Sequence, residues 1–510
     1  MTDLEPTGPA ASDARSEARP VHPFLTAADL AASTGGTLLR SSDRPIVGAQ
    51  VDSRLVEPGN LFVALPGEHT DGHRFVRAAV QAGAAGVLVS GPIEASADGG
   101  DDRSLEDRLG DVTVVLVPDT LRAMQQIARD WRRRFAPLVV GVTGSIAKTS
   151  TKEAIAAVLG RRFRTLKNEG NQNNEIGLPL TVLRLRETHD TAVLEMGMYV
   201  GGEIRDLAAI GRPQIGVVTA VQPVHLSRIG TIEAVERAKG ELVEALPDAR
   251  DGGVAVLNAD DERVRRMATR TAARVVTYGF ADDADVRATD VESAGVAGMR
   301  FVLRAGAGVR EPVVIPNLGR LAVHNALAGA TVGLAAGMAP GEVASALGEG
   351  WSAPHRTSVL HAGGVTIVDD TYNASPASVR AALELLAGLP GRRVAVLGEM
   401  LELGAEHEAG HESVGASAAA CDLLVVVDGG PGGGASGIVA GAVGAGMSRD
   451  RVVPVADRDE ALAVLLERLA DGDAVLVKAS RGVALDVLVD ALVDGLRARR
   501  PNTAVAGREA

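Results

Sequence analysis

The chain has 510 residues, 46% apolar and 23% charged, with a net charge of −13 and only 2% aromatic residues. That length predicts about three domains, each able to bury its own core, and the acidic balance without aromatic platforms argues against a nucleic-acid partner. The single cysteine, Cys421, rules out an internal disulfide framework; it sits in an apolar run and reads as a small buried hydrophobe.

Residues 1–22 mix acids, arginine, proline and alanine without an apolar h-region, the composition of a disordered tail rather than a signal peptide. No apolar run approaches the ~18 residues that span a bilayer, so a cytoplasmic protein without membrane insertion is expected. Residues 23–118 read as a small α/β domain, with a helix over Ala27–Ser33, strands at Gly36–Leu39, Leu61–Leu65 and Gly86–Val89, and a helix over Phe75–Ala82. Inside it, the acidic stretch 96–111 is expected as a surface insertion.

Residues 119–352 open with a helix over Leu121–Phe135, whose Trp131-Arg132-Arg133-Arg134 run reads as a solvated face. Strand patterns at Leu138–Val142, Thr191–Glu195, Ile215–Thr219, Val254–Asn258 and Val275–Tyr278 alternate with helical ones, which predicts a doubly wound parallel sheet. Period-two alternation over 285–315 suggests an antiparallel flap. In residues 353–497, strands are expected at Val365–Asp369, Arg393–Gly398, Leu423–Val427 and Ala474–Val477, and 498–510 form a tail. The expected fold is therefore α/β in three domains: a central phosphate-loop domain with a mostly parallel sheet, flanked by a small N-terminal α/β domain and a Rossmann-like C-terminal one.

The stretch Gly141-Val142-Thr143-Gly144-Ser145-Ile146-Ala147-Lys148-Thr149-Ser150 runs from an apolar strand through a glycine turn into a helix. Such a loop turns backbone N–H groups and a helix dipole toward phosphates, with Lys148 reaching the terminal phosphates and Thr149 placing its hydroxyl on Mg2+. Val142 and Ala147 stand where the strict pattern has glycine. A left-handed Ala147 costs about 1–2 kcal/mol; a right-handed one costs nothing, and the right-handed conformation is the one expected.

Further motifs follow. Asp52-Ser53-Arg54 lies in the first domain, and Asp71-Gly72-His73 reads equally as motif or tight turn. Asn168, Asn171, Asn173 and Asn174 crowd one loop suited to hydrogen-bonding neutral polar groups. Glu195 ends a strand at the carboxyl edge where ligands bind such sheets, or is a salt-bridged edge carboxylate. Thr219–His225, the helical run Glu233–Leu242, Asn258–Asp261, Gly319–Asn325, Pro354-His355-Arg356, Asp369–Pro376, Gly398–Gly404 with His411, and Lys478–Gly482 complete the series. By its helical pattern alone, Lys239 reads as a solvated charge.

In content and order these motifs resemble the Mur ligases across residues 24–490. The resemblance implies an ATP-dependent amide ligase acting through an acyl phosphate. Its expected substrates are UDP-N-acetylmuramoyl-tripeptide and D-alanyl-D-alanine, its cofactors ATP and Mg2+, and its state a monomer. It places ATP on Gly144, Ser145, Ile146, Ala147, Lys148, Thr149 and Ser150, with Asn325 at the adenine, Arg356 at the phosphates and Asp370 at the ribose. Mg2+ falls to Thr149, Glu195, His225 and Lys239, the last a lysine that this family carbamylates; Lys148, His225 and Lys239 are the expected catalytic groups. Ser53 and Arg54 would hold the uridine diphosphate end, and Asn173, Asn174, Tyr372, Asn373, Lys478 and Arg481 the rest of the substrate. Two motifs depart from the family pattern: G-R-H-N-x-x-N keeps Gly319, Arg320 and Asn325 but has Leu321 and Ala322, and Ala479 replaces the glycine of K-G-S-R-G. A related ligase with another amino substrate and a non-catalytic nucleotide-binding paralogue are the alternatives; retention of Lys148, Glu195, Lys239 and Arg356 argues against the second.

Overall fold

A computed structural model of the chain describes residues 24–67, 70–91, 109–223, 226–306, 308–428 and 432–499. The N-terminal tail, residues 500–510, nearly all of the acidic insertion, and His225 lie outside these described residues; residues 498 and 499, expected as tail, instead complete the helix Leu485–Arg499.

The first sheet has five strands, β1 (Thr37–Arg40), β2 (Ala49–Gln50), β3 (Leu61–Val63), β4 (Gly86–Val89) and β5 (Thr113–Leu116), in the order β1-β5-β4-β3-β2. β3 and β4 are buried throughout, as expected of short apolar runs inside a parallel sheet. The helix Ala27–Thr34 before them starts at a capping box between Thr26 and Asp29 and ends on a left-handed Gly35.

The helix Thr120–Arg132 joins this sheet to the next, and one apolar cluster runs from Leu30 and Leu61 through Met124 and Trp131 to Leu178 and Leu194. Here the sequence reading is corrected: Trp131 and Arg132 are buried, not part of a solvated face. The Trp131 indole donates to Leu185 O, with the Arg134 guanidinium 5.1 Å from its ring. The Arg132 guanidinium donates to the carbonyls of Gly211 and Phe135, both at 2.8 Å. Helical periodicity marks the apolar stripe, but only the neighbouring helices determine that an arginine beside it also closes their ends.

The second sheet carries β6 (Leu138–Thr143), β7 (Thr165–Lys167), β8 (Thr191–Glu195), β9 (Ile215–Val218), β10 (Val254–Asn258), β11 (Arg274–Gly279), β12 (Val286–Ser293), β13 (Met299–Ala305) and β14 (Val309–Ile315). Its order is β14-β13-β12-β11-β10-β9-β6-β8-β7. The strands from β7 to β12 are parallel; β12, β13 and β14 pair antiparallel. The expected flap is thus an extension of the main sheet, joined through Tyr278↔Val286 and Gly279↔Arg287. The parallel core brings the ends of β6, β8, β9 and β10, at Thr143, Glu195, Val218 and Asn258, to one edge.

The third sheet comprises β15 (Ser358–Ala362), β16 (Val365–Asp369), β17 (Arg393–Gly398), β18 (Leu423–Val427), β19 (Val452–Val455) and β20 (Ala474–Lys478), ordered β15-β16-β20-β17-β18-β19. Only β15 is antiparallel. Pro454 is accommodated because β19 is an edge strand. Cys421 is buried, which pushes its thiol up to about 11. Among the described residues, no helix is long and apolar enough to cross a membrane.

Candidate active site

After β6 the chain turns at Gly144, with φ +155°, where a Cβ would lie 1.8 Å from Thr219 Oγ1; only glycine fits there. The loop is stitched to the end of β9. Ser145 N donates to Ala220 O at 2.7 Å, Ser145 Oγ to Gln222 O at 3.0 Å, and Thr219 Oγ1 to Ile146 O at 2.6 Å. The helix Lys148–Gly160 then begins with no side-chain cap, which leaves the first-turn amides of Lys148, Thr149 and Ser150 without helical partners and turned to an anion site.

Ala147 precedes this helix at φ +64°, ψ +2°. The expected right-handed conformation is therefore wrong. The chain must reverse within one residue to start the helix while its neighbours are tied to β9, and that reversal needs the left-handed region in spite of the methyl group.

Lys148 Nζ donates to Gly144 O at 2.8 Å. Burial pushes its ammonium below the ordinary lysine range, Arg356 adds to the effect, and Glu195 opposes it. Thr149 is buried beside it. At the end of β8, Glu195 is 1% exposed. Its Oε1 accepts from Asn173 Nδ2 at 2.7 Å, while its Oε2 is buried without a partner. Gly197 makes room for this, since a Cβ there would sit 2.9 Å from Asn173 Oδ1. A buried carboxylate oxygen left open beside a threonine hydroxyl and a phosphate loop is a donor set that fits Mg2+, which prefers a few protein oxygens completed by phosphate and water.

Of this constellation the sequence left Lys152 unmarked and did not single out Asn168 among the loop's asparagines. Asn168 pairs with both backbone polar groups of Glu195, and Lys152, completely buried, donates to Asn168 O at 2.7 Å. The cluster of asparagines was visible in the sequence, but not which of them turns inward; Asn174 instead accepts from Gly177 N at 2.9 Å at a helix start.

Lys239, in the helix Ile232–Glu244, is 2% exposed, against the solvated role its helical pattern suggested. Burial, and then the charge of Lys148, push its ammonium well down.

The third sheet supplies the opposite wall. The Arg356 guanidinium lies 3.9 Å from the Tyr372 ring centroid, with Arg481 at 5.8 Å, and Arg356 Nε is buried without a partner. His355 and Thr357, on either side of Arg356, both have left-handed backbones, so a strained turn presents this arginine. Lys478 Nζ bonds Asp370 Oδ2 at 2.6 Å and Asn373 O at 2.8 Å, and Asp370 Oδ1 accepts from Thr357 N.

Between the second and third sheets lies a cavity of about 520 Å³ lined by Ser145 to Ser150, Asn173, Asn174, Glu195, Asn325, Arg356, Asp370, Tyr372, Asn373 and Lys478. A second, of about 490 Å³, is lined by Thr219, Asn258, Asp260, Tyr278, His324 and others. Ile146, Ala147, Leu321 and Asn325 line both. Gly144, Lys239 and Arg481 border neither cavity, nor do Ser53 and Arg54. Arg54 is exposed and paired with Asp52. In Asp71-Gly72-His73 the turn reading holds: Asp71 caps a short 3-10 helix and meets the buried His73 Nδ1 at 2.6 Å.

A family model described as the Mur ligase middle domain matches residues 142–333, one described as Mur ligase, glutamate ligase domain matches 355–481, and one described as Mur ligase family, catalytic domain matches 45–132. The chain is 35% identical to the UDP-N-acetylmuramoyl-tripeptide--D-alanyl-D-alanine ligase of Bacillus subtilis, over 92% of this chain and 98% of that protein. To the enzyme of the same name from Mycobacterium leprae it is 38% identical, over 91% and 97%. The fold superposes on a crystal structure of MurF from Acinetobacter baumannii with a TM-score of 0.80 at 28% identity, covering 93% of this chain and all of the other. On MurF ligase from Thermotoga maritima in complex with ADP the TM-score is 0.75 at 27% identity, covering 89% and 99%.

Proposed function

The chain belongs to the Mur ligase family, and from that premise we propose that it joins D-alanyl-D-alanine to the peptide carboxylate of UDP-N-acetylmuramoyl-tripeptide, with ATP as the energy source. The observation that carries this reading is one cavity with Lys148 and the unpaired oxygen of Glu195 on one wall and Arg356, Asp370 and Lys478 on the other. A phosphoryl-transfer site needs convergent positive charge, a metal-binding carboxylate and a wall that closes over the reacting groups.

In this reading the tripeptide carboxylate takes the terminal phosphoryl group of ATP, giving an acyl phosphate and ADP. The free amine of D-alanyl-D-alanine attacks the acyl carbon, and collapse of the tetrahedral intermediate releases phosphate and leaves an amide, the amine proton passing to solvent. Lys148 and Arg356 hold the charge of the transferring group from two sides. Thr149 and Glu195 would hold Mg2+, which when bound would neutralise phosphate charge, and His225 and Lys239 would serve a second metal position. A neutral lysine amine adds CO2 to form a carbamate with loss of a proton, and the buried, proton-poor Lys239 is suited to that. Tyr372, Asn373, Lys478 and Arg481 position the peptide substrate together with Asn173 and Asn174, while Ser53 and Arg54 meet the uridine diphosphate end. The third domain excludes water from the acyl phosphate. The enzyme works as a cytoplasmic monomer in peptidoglycan precursor synthesis.

Phosphate release from ATP in the presence of UDP-N-acetylmuramoyl-tripeptide, with and without D-alanyl-D-alanine, tests the assignment. Release that depends on the dipeptide and not on single amino acids is expected; release without such dependence overturns it.

A further inference from the structure

Resting on the ATP site above, the geometry points to His324, oriented by Asp260, as the residue that selects adenine over guanine in the second cavity. The two cavities adjoin at the phosphate loop, where Ile146, Ala147, Leu321 and Asn325 line both, so a nucleotide with its phosphates on the loop can extend its base into the second. Its volume of about 490 Å³ suits a nucleoside. Leu321 and Ala322 present no polar side-chain group, so on this turn of the helix hydrogen-bond recognition falls to His324 and Asn325.

The protonation pattern of both residues follows from their partners. Asp260 Oδ2 lies 3.0 Å from His324 Nε2 and accepts from Phe280 N at 2.7 Å, while its Oδ1 accepts from Ala281 N at 2.8 Å. Burial pushes the Asp260 carboxyl up, but the His324 hydrogen bond and these backbone donors outweigh it, and the group is held below the usual range. An ionised carboxylate only accepts, so Nε2 carries a proton toward Asp260, and in the tautomer with that proton alone Nδ1 is an acceptor. The ring is fixed edge-on to Phe280, with centroids 4.6 Å apart at 90°, and Phe280 is itself covered by the Arg320 guanidinium at 4.1 Å. Asn325 Oδ1 takes the Thr151 hydroxyl at 2.9 Å, which leaves its amide nitrogen to donate. An acceptor and a donor on the lining of one cavity match the 6-amino group and N7 of adenine. Guanine presents two acceptors on that edge and leaves His324 Nδ1 facing a carbonyl.

Calorimetric titration of the full chain with ADP and with GDP, in Mg2+ and without the peptide substrates, tests this. The wild-type chain should prefer ADP, and His324→Ala should reduce that preference by about tenfold or more. Asp260→Asn, which frees the imidazole to carry its proton on either nitrogen, should reduce it in part, with thermal denaturation confirming that both variants are folded. ADP binding with an unchanged ADP-to-GDP ratio in both variants, or with no wild-type preference, overturns this proposal alone. Absence of any ADP binding to the wild-type chain overturns the phosphate-loop reading and this one with it.

Discussion

Asn168 clamps the main chain of Glu195: its Oδ1 accepts from Glu195 N at 2.9 Å and its Nδ2 donates to Glu195 O at 3.1 Å. The end of β8 is thereby locked, and the carboxylate is aimed by a residue that borders neither cavity. Groups that orient a metal ligand typically matter 10–100-fold in metal affinity or activity. Asn168→Ala should therefore raise the Mg2+ concentration for half-maximal phosphate release by about 10–100-fold. It also unpairs two buried backbone groups, at about 1–3 kcal/mol each. An unchanged Mg2+ requirement in a folded variant would show that Glu195 needs no such support.

The left-handed Ala147 bears on the phosphate loop in a bounded way. Glycine relieves about 1–2 kcal/mol of strain but gives back about 0.4–1 kcal/mol through a more flexible unfolded chain. Ala147→Gly should keep activity within about tenfold and stability within about 1 kcal/mol of the parent, as read by steady-state kinetics and urea denaturation. Ala147→Val, β-branched at positive φ, should lose nucleotide affinity. A valine variant that binds ATP normally would mean the loop relaxes to another conformation at little cost.

Lys239 makes a prediction with a definite sign. Its folded-state pKa is depressed, so the unfolded chain holds this proton where the folded chain has released it. Unmodified Lys239 therefore destabilises the fold most below its folded pKa. The penalty fades as pH rises toward the ordinary lysine value near ~10.4. In CO2-free, metal-free buffer at neutral pH, Lys239→Met should melt at a higher temperature than the parent, the gap narrowing with rising pH. The same variant should be inactive, and the parent should lose activity on CO2 removal and regain it with bicarbonate. A methionine variant that melts lower throughout would contradict an uncompensated buried amine.

The parallel strands β6, β8, β9 and β10 were legible because continuous apolar runs bounded by turns have few other uses. β7 is only three residues long, β15 is half-exposed and β19 contains Pro454; each lacks the apolar run that marks a buried strand. Chain chemistry alone could nominate Lys148 and Glu195, and the family resemblance Arg356, but not their surroundings. That Ala147 is left-handed, that Arg132 is buried, and that Asn168 and Asn173 face Glu195 are decided by elements distant in sequence, whereas Asn174 turns to its own neighbours Ile176 N and Gly177 N. Lys239 shows the limit best: its pattern marked a surface charge, the family resemblance a metal site, and the packing of its helix against β6 and β9 buries it.

The ion pair between Lys478 and Asp370 separates stability from catalysis. Lys478 Nζ is buried and held by Asp370 Oδ2 at 2.6 Å and Asn373 O at 2.8 Å, and all three residues line the first cavity. Removing one member of a buried pair leaves an uncompensated charge and costs about 3–5 kcal/mol, whereas replacing both by neutral groups is often near neutral. Asp370→Asn should destabilise the chain strongly, since it strands the ammonium, and Lys478→Met added to it should restore most of the loss in a double-mutant cycle. Ligase activity should stay low in all three variants, because Asp370 and Lys478 also form the cavity wall that faces Lys148. Recovery of activity together with stability in the double variant would assign the pair a purely structural role.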